Sequence, residues 1–162
     1  SDYLEKNYPH LFRKLVLRRH LVIEAVGEGV VINPVDRFAN ADYFAAVRPE
    51  ISREKLFAIL INAFENYGKP YDFFFDFSTD DALICSEFVY KCFNHPEDGI
   101  HFRLKYQNNK PFLTPNDIAL QTCSTDASAS PAFRFVVFYG GEPETGTAGR
   151  KDIASFRMVA ME

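Results

Sequence analysis

The sequence predicts one domain of the α+β class, because β-rich runs lie towards both ends of the chain and helical segments lie between them. Strands, then helices, then strands again, without regular alternation, are typical of an α+β fold. The chain has 162 residues, of which 47% are apolar and 25% are charged. This length and composition are those of a single folded domain that buries a substantial core.

The first part of the chain predicts one helix and three strands. Residues 4–19 form an amphipathic pattern, with Pro9 near the first turn and a basic face that we interpret as a solvated surface. Two β-rich runs, "HLVIEAV" and "GVVIN", flank the turn "GEG" and predict a tight hairpin over 20–33. A third strand, "DYFAAVRP", is predicted at 42–49 because proline closes a β-rich run.

The middle of the chain predicts two helices. The segment "SREKLFAILINAFENYG" carries an apolar stripe at helical spacing, with Ser52 as its N-cap and Gly68 as its stop. Asp80 and Asp81 are typical of a helix start and predict a second helix that runs to about Phe93.

The last third predicts a short helix and two closing strands. Thr114 is placed as a cap and Pro115 at the first helical position, which predicts a helix over 114–122. The Ser/Ala-rich stretch 124–131 is predicted to be a loop. Two runs, "FRFVVFYGG" and "SFRMVAM", are predicted to be strands around a glycine-rich turn at 140–149.

Charge and hydropathy exclude several classes of protein. A net charge of −4 argues against a nucleic-acid partner, which requires a clustered basic surface. No apolar run reaches the roughly 18 residues of a transmembrane helix, so we expect no membrane-spanning segment. The polar start "SDYLEKNYPH" is unlike a signal peptide, and the compartment stays open between cytoplasm and cell envelope. The oligomeric state is not indicated by the sequence.

The three cysteines have neither a disulfide framework nor the spacing of a zinc site, so we expect reduced thiols, no metal and no cofactor. Cys85 follows the helix-entry residues "STDD", and a helix N-terminus favours a thiolate. The residue is therefore either a nucleophile or a buried packing residue, the commoner role of a free cysteine. Cys92 and Cys123 are predicted to be structural.

A catalytic cysteine needs a base, which is normally histidine. His20 begins the strand "HLVIEAV", and Glu24 lies four residues on, so strand alternation predicts that both point to one face. A carboxylate among Val and Ile requires a partner. Glu24 is thus either an orienting group for a histidine or part of a solvent-facing strand end. The remaining histidines, which we interpret as surface or helix residues, are His10, His95 and His101.

The stretch "HLVIEAVGEGVVINPVDRFANADYFAAVRP", followed by a helix, "GKPYDFFFDF" and "LICSEFVYKCF", resembles the circularly permuted NlpC-like branch (the YiiX-like branch) of papain-fold cysteine hydrolases. The resemblance covers residues 20–93. It implies a papain-like fold, in which a small antiparallel β-barrel or sheet packs against the Cys-bearing helix, in a single domain over 1–162.

The resemblance also implies roles for individual residues. Cys85 corresponds to the nucleophile and Glu24 to the orienting group of the family. Tyr71 and Asp72 correspond to positions that shape the substrate-binding groove, although packing or turn-stabilising roles fit them equally well. No metal is implied.

This sequence departs from the family pattern at the base. The family's histidine lies in a strand resembling "HvGiyvG", one strand before the "viEa" strand, and the chain does not contain that strand. Either the strand precedes Ser1, which we expect, or His20 has taken over the role from the adjacent strand. A chain without its base is expected to be a weak enzyme or none.

The function that this resemblance implies is a thiol hydrolase that cleaves an amide bond, in cell-wall-type peptides, through a thioester on Cys85. The alternative enzyme is a lipid acyl hydrolase or acyltransferase of the lecithin:retinol acyltransferase type, whose acyl chain would suit the segment "DFFFDF". The other alternative is a non-catalytic binding module that retains the groove. The expected partner is a peptide or lipid small molecule.

Overall fold

The structure is a computed structural model that describes residues 2–10, 12–13, 20–94, 100–123, 133–142 and 147–161. Its helices are α1 (Asp2–Asn7), α2 (Arg53–Glu65), α3 (Cys85–Phe93), α4 (Pro115–Thr122) and α5 (Ile153–Met161), with a 3-10 helix at Val35–Asn40. Its strands are β1 (Leu21–Val26), β2 (Gly29–Pro34), β3 (Tyr43–Pro49), β4 (Lys105–Gln107), β5 (Lys110–Phe112), β6 (Phe133–Glu142) and β7 (Thr147–Lys151).

The described strands form three small antiparallel sheets. Strands β1 and β2 make a hairpin, β3, β6 and β7 pair in that order, and β4 and β5 make a second hairpin. Because β3 pairs with β6 rather than with a sequence neighbour, the middle sheet joins the first third of the chain to the last. The sheets are antiparallel, and strands and helices do not alternate regularly along the chain, as in an α+β fold.

The first hairpin is tied to the end of α2 by a close backbone approach at Gly29. Its φ of 104° lies in the left-handed region, and a Cβ at this position would overlap the carbonyl oxygen of Lys69. Val30 donates its N–H to that same oxygen at 2.8 Å, and Gly68 donates to the carbonyl of Val30 at 2.9 Å. The predicted hairpin and the predicted glycine stop of α2 are therefore parts of one junction.

The core lies between this hairpin and the helices α2 and α3. Its buried apolar residues include Ala25 and Val30 of the hairpin, Ile59 of α2 and Phe88 of α3, and Ile23 packs against them. Helix α3 is thereby placed against the face of the hairpin that carries the odd-numbered residues of β1. The predicted α+β class, with a small antiparallel sheet packed on the Cys-bearing helix, is confirmed.

The second predicted helix begins later than its acidic start signal suggests. Helix α3 starts at Cys85, whereas we predicted a start at Asp80 and Asp81. Leu83 pairs with Tyr71 as a parallel bridge, which keeps the segment before Cys85 extended. Tertiary pairing therefore overrides the local helix-entry signal.

The run "SFRMVAM" was predicted wrongly to be the second closing strand, because it lies in the helix α5. The strand that follows β6 in the chain and pairs with it is β7. Asp152 explains the helix: its carboxylate accepts hydrogen bonds from the N–H and hydroxyl of Ser155, both at 2.8 Å, and so caps the first turn. Phe156 packs on Phe138 of β6, with ring centroids 5.3 Å apart. The β-like composition of α5 thus reflects packing on a sheet.

The other predicted elements stand as follows. Helix α2 has Ser52 as its N-cap, with the hydroxyl accepting from the N–H of Lys55 at 3.2 Å, and α4 has the predicted Thr114 cap. The predicted first helix at 4–19 is helical at 4–7, 9–10 and 12–13 and is interrupted at Tyr8, while residues 11 and 14–19 and the predicted loop at 124–131 lie outside the described residues. We did not predict the hairpin of β4 and β5. None of the described helices is long and apolar enough to cross a membrane.

Candidate active site

Cys85 is the first residue of α3, and its side chain is exposed. Ile84 precedes it as the N-cap in an extended conformation and supplies no side-chain hydrogen bond to the helix. Helix N-termini leave backbone N–H groups free and carry a positive partial charge. The thiol of Cys85 therefore lies where a thiolate, or a negatively charged reaction intermediate, is stabilised by the backbone.

The other two thiols lie in a different environment. Cys92 and Cys123 are both buried. Burial raises the pKa of Cys92 to about 12. Burial also raises the pKa of Cys123, although Thr122 and Arg157 oppose the effect. Of the three cysteines in the chain, only Cys85 combines exposure with a helix N-terminus, and Cys92 is a core residue as its spacing predicts.

Tyr71 contacts the nucleophile candidate. Burial, the charge of the Cys85 thiolate and a hydrogen bond with the Cys85 side chain together raise the pKa of the Tyr71 hydroxyl. The bridge between Tyr71 and Leu83 fixes the tyrosine beside the residues that lead into α3. The structure thus brings together two of the sequence-predicted site residues, an exposed thiol and a hydroxyl close enough for the thiol to raise the hydroxyl's pKa.

Asp72 is buried and braces the loop that follows it. Its carboxylate accepts the N–H of Phe74 at 2.8 Å and the N–H of Asp76 at 2.6 Å, while its own N–H donates to Leu83 at 3.3 Å. Both carboxylate oxygens are engaged in the turn. The geometry therefore favours the turn-stabilising alternative for Asp72, and a direct contact with substrate stays a prediction.

Glu24 lies on the face of β1 opposite the core. Strand alternation places it on the other side from Ile23 and Ala25, which pack towards α3. Its Oε1 accepts a hydrogen bond from Asn33 Nδ2 at 2.8 Å and lies 3.7 Å from the guanidinium of Arg37. The half-buried carboxylate of Glu24 thus has the two partners that it requires, the amide of Asn33 and the cation of Arg37.

His20 precedes β1 rather than beginning it, and its side chain is exposed. Its φ of 62° interrupts the extended backbone, so strand alternation does not fix the direction of its ring relative to Glu24. Its carbonyl accepts the N–H of Val35 at 2.9 Å. Among the described residues, no hydrogen bond joins His20 to Glu24 or to Cys85, so the roles of His20 and Glu24 stay predictions.

One buried residue of this region was missed as a site candidate. Glu87, the third residue of α3, is fully buried, whereas its sequence position suggested only a favourable interaction with the helix dipole. Its place directly after "CS" in the motif was the one available signal, although side chains two positions apart on a helix point to different faces. Within the described part of the chain, no group of three His, Cys, Asp or Glu side chains could hold a metal ion.

Comparisons with known proteins agree with the motifs around Cys85. A model of the permuted papain-like amidase enzymes, the YaeF/YiiX or C92 family, matches residues 6–136. Among solved structures, the chain is similar to the crystal structure of metalloprotein yiiX from Escherichia coli O157:H7, with 24% sequence identity over 82% of this chain and 76% of that chain, and a TM-score of 0.47. A search of curated proteins finds no match. The family match covers well over half of the sequence, and the chain belongs to the permuted papain-like amidase family.

Proposed function

We propose that this chain is a thiol amidase in which Cys85 is the nucleophile. The observation that carries the proposal is the exposed thiol at the start of α3, with Tyr71 held beside the segment that leads into that helix by its bridge to Leu83. Membership of an amidase family supports the same reaction class. We further propose that residues 1–162 act as one domain.

The reaction proceeds in two halves. The Cys85 sulfur attacks the amide carbonyl carbon after its proton passes to a base, and the tetrahedral intermediate collapses to a thioester as the protonated base returns the proton to the leaving amine. Water then attacks the thioester, which releases the carboxylic acid and regenerates the thiol. The Cys85 N–H at the helix start stabilises the oxyanion in both halves.

Tyr71 has a distinct role in this scheme. Its hydroxyl is protonated at neutral pH, as in any tyrosine, and the raised pKa strengthens that preference. A neutral phenol can donate a hydrogen bond to the thiolate before attack and to the substrate afterwards. Tyr71→Phe is therefore expected to lower turnover by about a hundredfold to a thousandfold, a range typical of losing one such donor.

Of the two bases considered from the sequence, His20 is the one that residues 1–162 contain, and we propose it as the base, oriented by Glu24. In this scheme Glu24 exchanges part of its interaction with Asn33 and Arg37 for a hydrogen bond to the imidazole. His20→Ala and Glu24→Gln test it separately: loss of turnover in both, with the larger loss in His20→Ala, is the expected result. Full turnover by His20→Ala would exclude His20 as the base.

The proposed substrates are cell-wall-type peptides. The test is hydrolysis of γ-glutamyl-linked peptides by the wild-type chain and by Cys85→Ser, with release of the amine as the readout. Cys92→Ser is the matched control, because it changes the same residue type in the same helix but in the core. We expect turnover to be abolished in Cys85→Ser and retained in Cys92→Ser.

The aromatic loop after Asp72 favours a second candidate, a lipid acyl hydrolase or acyltransferase. Phe73, Phe74 and Phe75 are all exposed, Phe74 by 93%, and the ring of Phe73 contacts that of Tyr71 at 5.1 Å. Exposed contiguous apolar surface beside a site is typical of an apolar ligand or partner. An apolar cavity of about 340 Å³ beside the 3-10 helix, lined in part by Phe38, adds further apolar surface.

The two substrates are separated by parallel assays. Phospholipid vesicles and cell-wall peptides are each incubated with the wild-type chain and with Cys85→Ser, and we expect Cys85-dependent turnover of the peptides. Turnover of the phospholipids alone would favour the acyl hydrolase. Binding of either substrate without turnover, unaffected by Cys85→Ser, would favour the non-catalytic binding module.

A further inference from the structure

Glu87 is a buried carboxylate whose role the reaction scheme above leaves open. It lies two residues after Cys85 in the first turn of α3, and its side chain has 0% exposure. Neither of its oxygens has a hydrogen bond of good geometry with the described residues. Burying a carboxylate in this way is costly unless a cation compensates it.

The compensating cation is Lys91, one turn further along α3. Its Nζ lies 3.3 Å from Glu87 Oε1 and also forms an ion pair with Asp80. The lysine is itself largely buried, with 23% of its side chain exposed. Asp80 belongs to the non-helical segment that leads into Cys85, so one ammonium group joins the first turn of α3 to the segment before it.

This network joins the residues on either side of Cys85 in the chain. Cys85 lies between Asp80 and Glu87 in the chain, and Leu83 connects the same segment to Tyr71 and Asp72 through the bridge and its backbone hydrogen bonds. The charged groups that act on Glu87 are Lys91 and, with the opposite sign, the buried Asp72. The ion pairs therefore fix both chain segments that determine where the Cys85 sulfur lies.

We propose that Glu87 is a positioning residue for Cys85, which acts through Lys91 and Asp80 to hold the first turn of α3 against the segment that carries Tyr71. The proposal rests on the proposed function for its catalytic meaning. Its physical content, that the ion pairs set the accessibility and geometry of the thiol, stands without that function. A reactive group displaced by as little as about 1 Å can lose a large part of its reactivity.

Two single substitutions distinguish positioning from a direct charge effect. Glu87→Gln removes a negative charge near the thiol and Lys91→Met removes a positive one, so a purely electrostatic role would change the reactivity of Cys85 in opposite directions. If Glu87 positions Cys85, the reactivity of Cys85 falls in both variants. The measurement is the second-order rate constant for alkylation of Cys85 by iodoacetamide at neutral pH, mapped by mass spectrometry.

We expect the rate constant to fall by about fivefold or more in both variants, with Lys91→Arg close to wild type because it retains the cation. Glu54→Gln is the matched control, since it removes an exposed carboxylate from the first turn of α2 and leaves the rate unchanged. Opposite changes in the two variants, or rates within about twofold of wild type, would overturn the proposal.

Unfolding is monitored within the same experiment. Cys92 and Cys123 are buried, and their alkylation reports any loss of native structure. Where a single variant exposes them, the double variant Glu87→Gln/Lys91→Met decides. It removes both charges of the buried ion pair together, so that neither is left without its partner. A native-like double variant with slow Cys85 alkylation supports positioning, and one with the wild-type rate overturns it. Turnover retained by Cys85→Ser would refute the proposed function and leave this result intact.

Discussion

The two halves of the candidate site are fixed by different kinds of interaction. The nucleophile half, which consists of Tyr71, Asp72 and Cys85, is held by backbone groups: a helix start, a parallel bridge at Leu83, and amide N–H groups that donate to Asp72. The helix start and the bridge are backbone features, and the carboxylate of Asp72 and the ion pairs of Lys91 add side-chain contacts to them.

The hairpin half, which consists of His20, Glu24, Asn33 and Arg37, is held by side chains. The carboxylate of Glu24 contacts an amide on the neighbouring strand and a guanidinium that is 46% exposed. His20 is exposed and lies outside β1. The difference teaches that the surroundings of Cys85, the proposed nucleophile, rest largely on backbone pairing and a helix start, whereas His20 and Glu24, the proposed base and orienting group, rest on contacts that can be exchanged.

The largest effect we expect is the difference in reactivity between the thiols at the two ends of α3. A pKa of about 12 leaves Cys92 almost wholly protonated at neutral pH, and burial excludes the reagent. In the native protein, iodoacetamide should therefore label Cys85 at least about a hundredfold faster than Cys92, with Cys123 similarly protected. In denaturant, all three should react at similar rates. Equal labelling of the native protein would contradict the assignment of Cys85.

The second effect tests how the nucleophile half is braced. Asp72→Ala removes a buried acceptor of two N–H groups, and we expect the free energy of unfolding to fall by about 2 to 3 kcal/mol. Asp72→Asn retains one acceptor oxygen and is expected to lose about half of that. Urea denaturation measures both. If Asp72→Ala leaves the free energy of unfolding almost unchanged, Asp72 does not stabilise the turn, and the prediction that it binds substrate is favoured.

The third effect tests the weaker bracing of the hairpin half. Asn33→Ala leaves the half-buried Glu24 without its amide donor and is expected to lower the free energy of unfolding by about 1 kcal/mol. Arg37→Ala removes a long, half-exposed ion pair and is expected to lower it by at most about 0.5 kcal/mol. A larger loss in Arg37→Ala than in Asn33→Ala would mean that the cation is the principal partner of Glu24.

The sequence predicted local features better than contacts between elements, for a physical reason. Ser52 and Thr114 act on neighbours within three residues, so a helix cap is visible in a short stretch, whereas the start of α3 at Cys85 also depends on the bridge between Leu83 and Tyr71. The partner of Glu24 across the hairpin follows from strand register, and the left-handed backbone at His20 has no local signal. Those features arise only when the elements meet.

Burial of Glu87 and the wrong prediction for α5 have the same origin. Both depend on which face of a helix meets a sheet or a loop, and a β-like composition does not contain that information. The cap at Asp152, with Ser155 three residues on, was a local signal that could have identified α5. No comparable pattern marks Glu87 as buried, because an acidic residue in a first helical turn is normally solvated.

The smallest effect compares two carboxylates that share Lys91. Burial raises the pKa of Glu87, although Lys91 opposes the shift. The hydrogen bond and charge of Lys91 lower the pKa of Asp80. A raised carboxyl pKa means that the folded protein binds the proton more tightly than the unfolded chain, so this contribution to stability is present at low pH and is lost as pH rises through the raised value.

Asp80 has the opposite sign: its contribution is present above its unfolded pKa and is lost as pH falls through the lowered value. Melting curves between about pH 2 and pH 8 for the wild type, Glu87→Gln and Asp80→Asn cover both windows, because the contribution of Asp80 is lost only below the usual pKa of an aspartate. Relative to wild type, Glu87→Gln should gain stability as pH rises, by a few degrees in Tm. Asp80→Asn should lose stability by less, because the side chain of Asp80 is 76% exposed and solvent screens its ion pair. Parallel curves for the wild type and Glu87→Gln would mean that Glu87 titrates alike in the folded and unfolded chain, and that its buried position beside Cys85 carries no electrostatic cost.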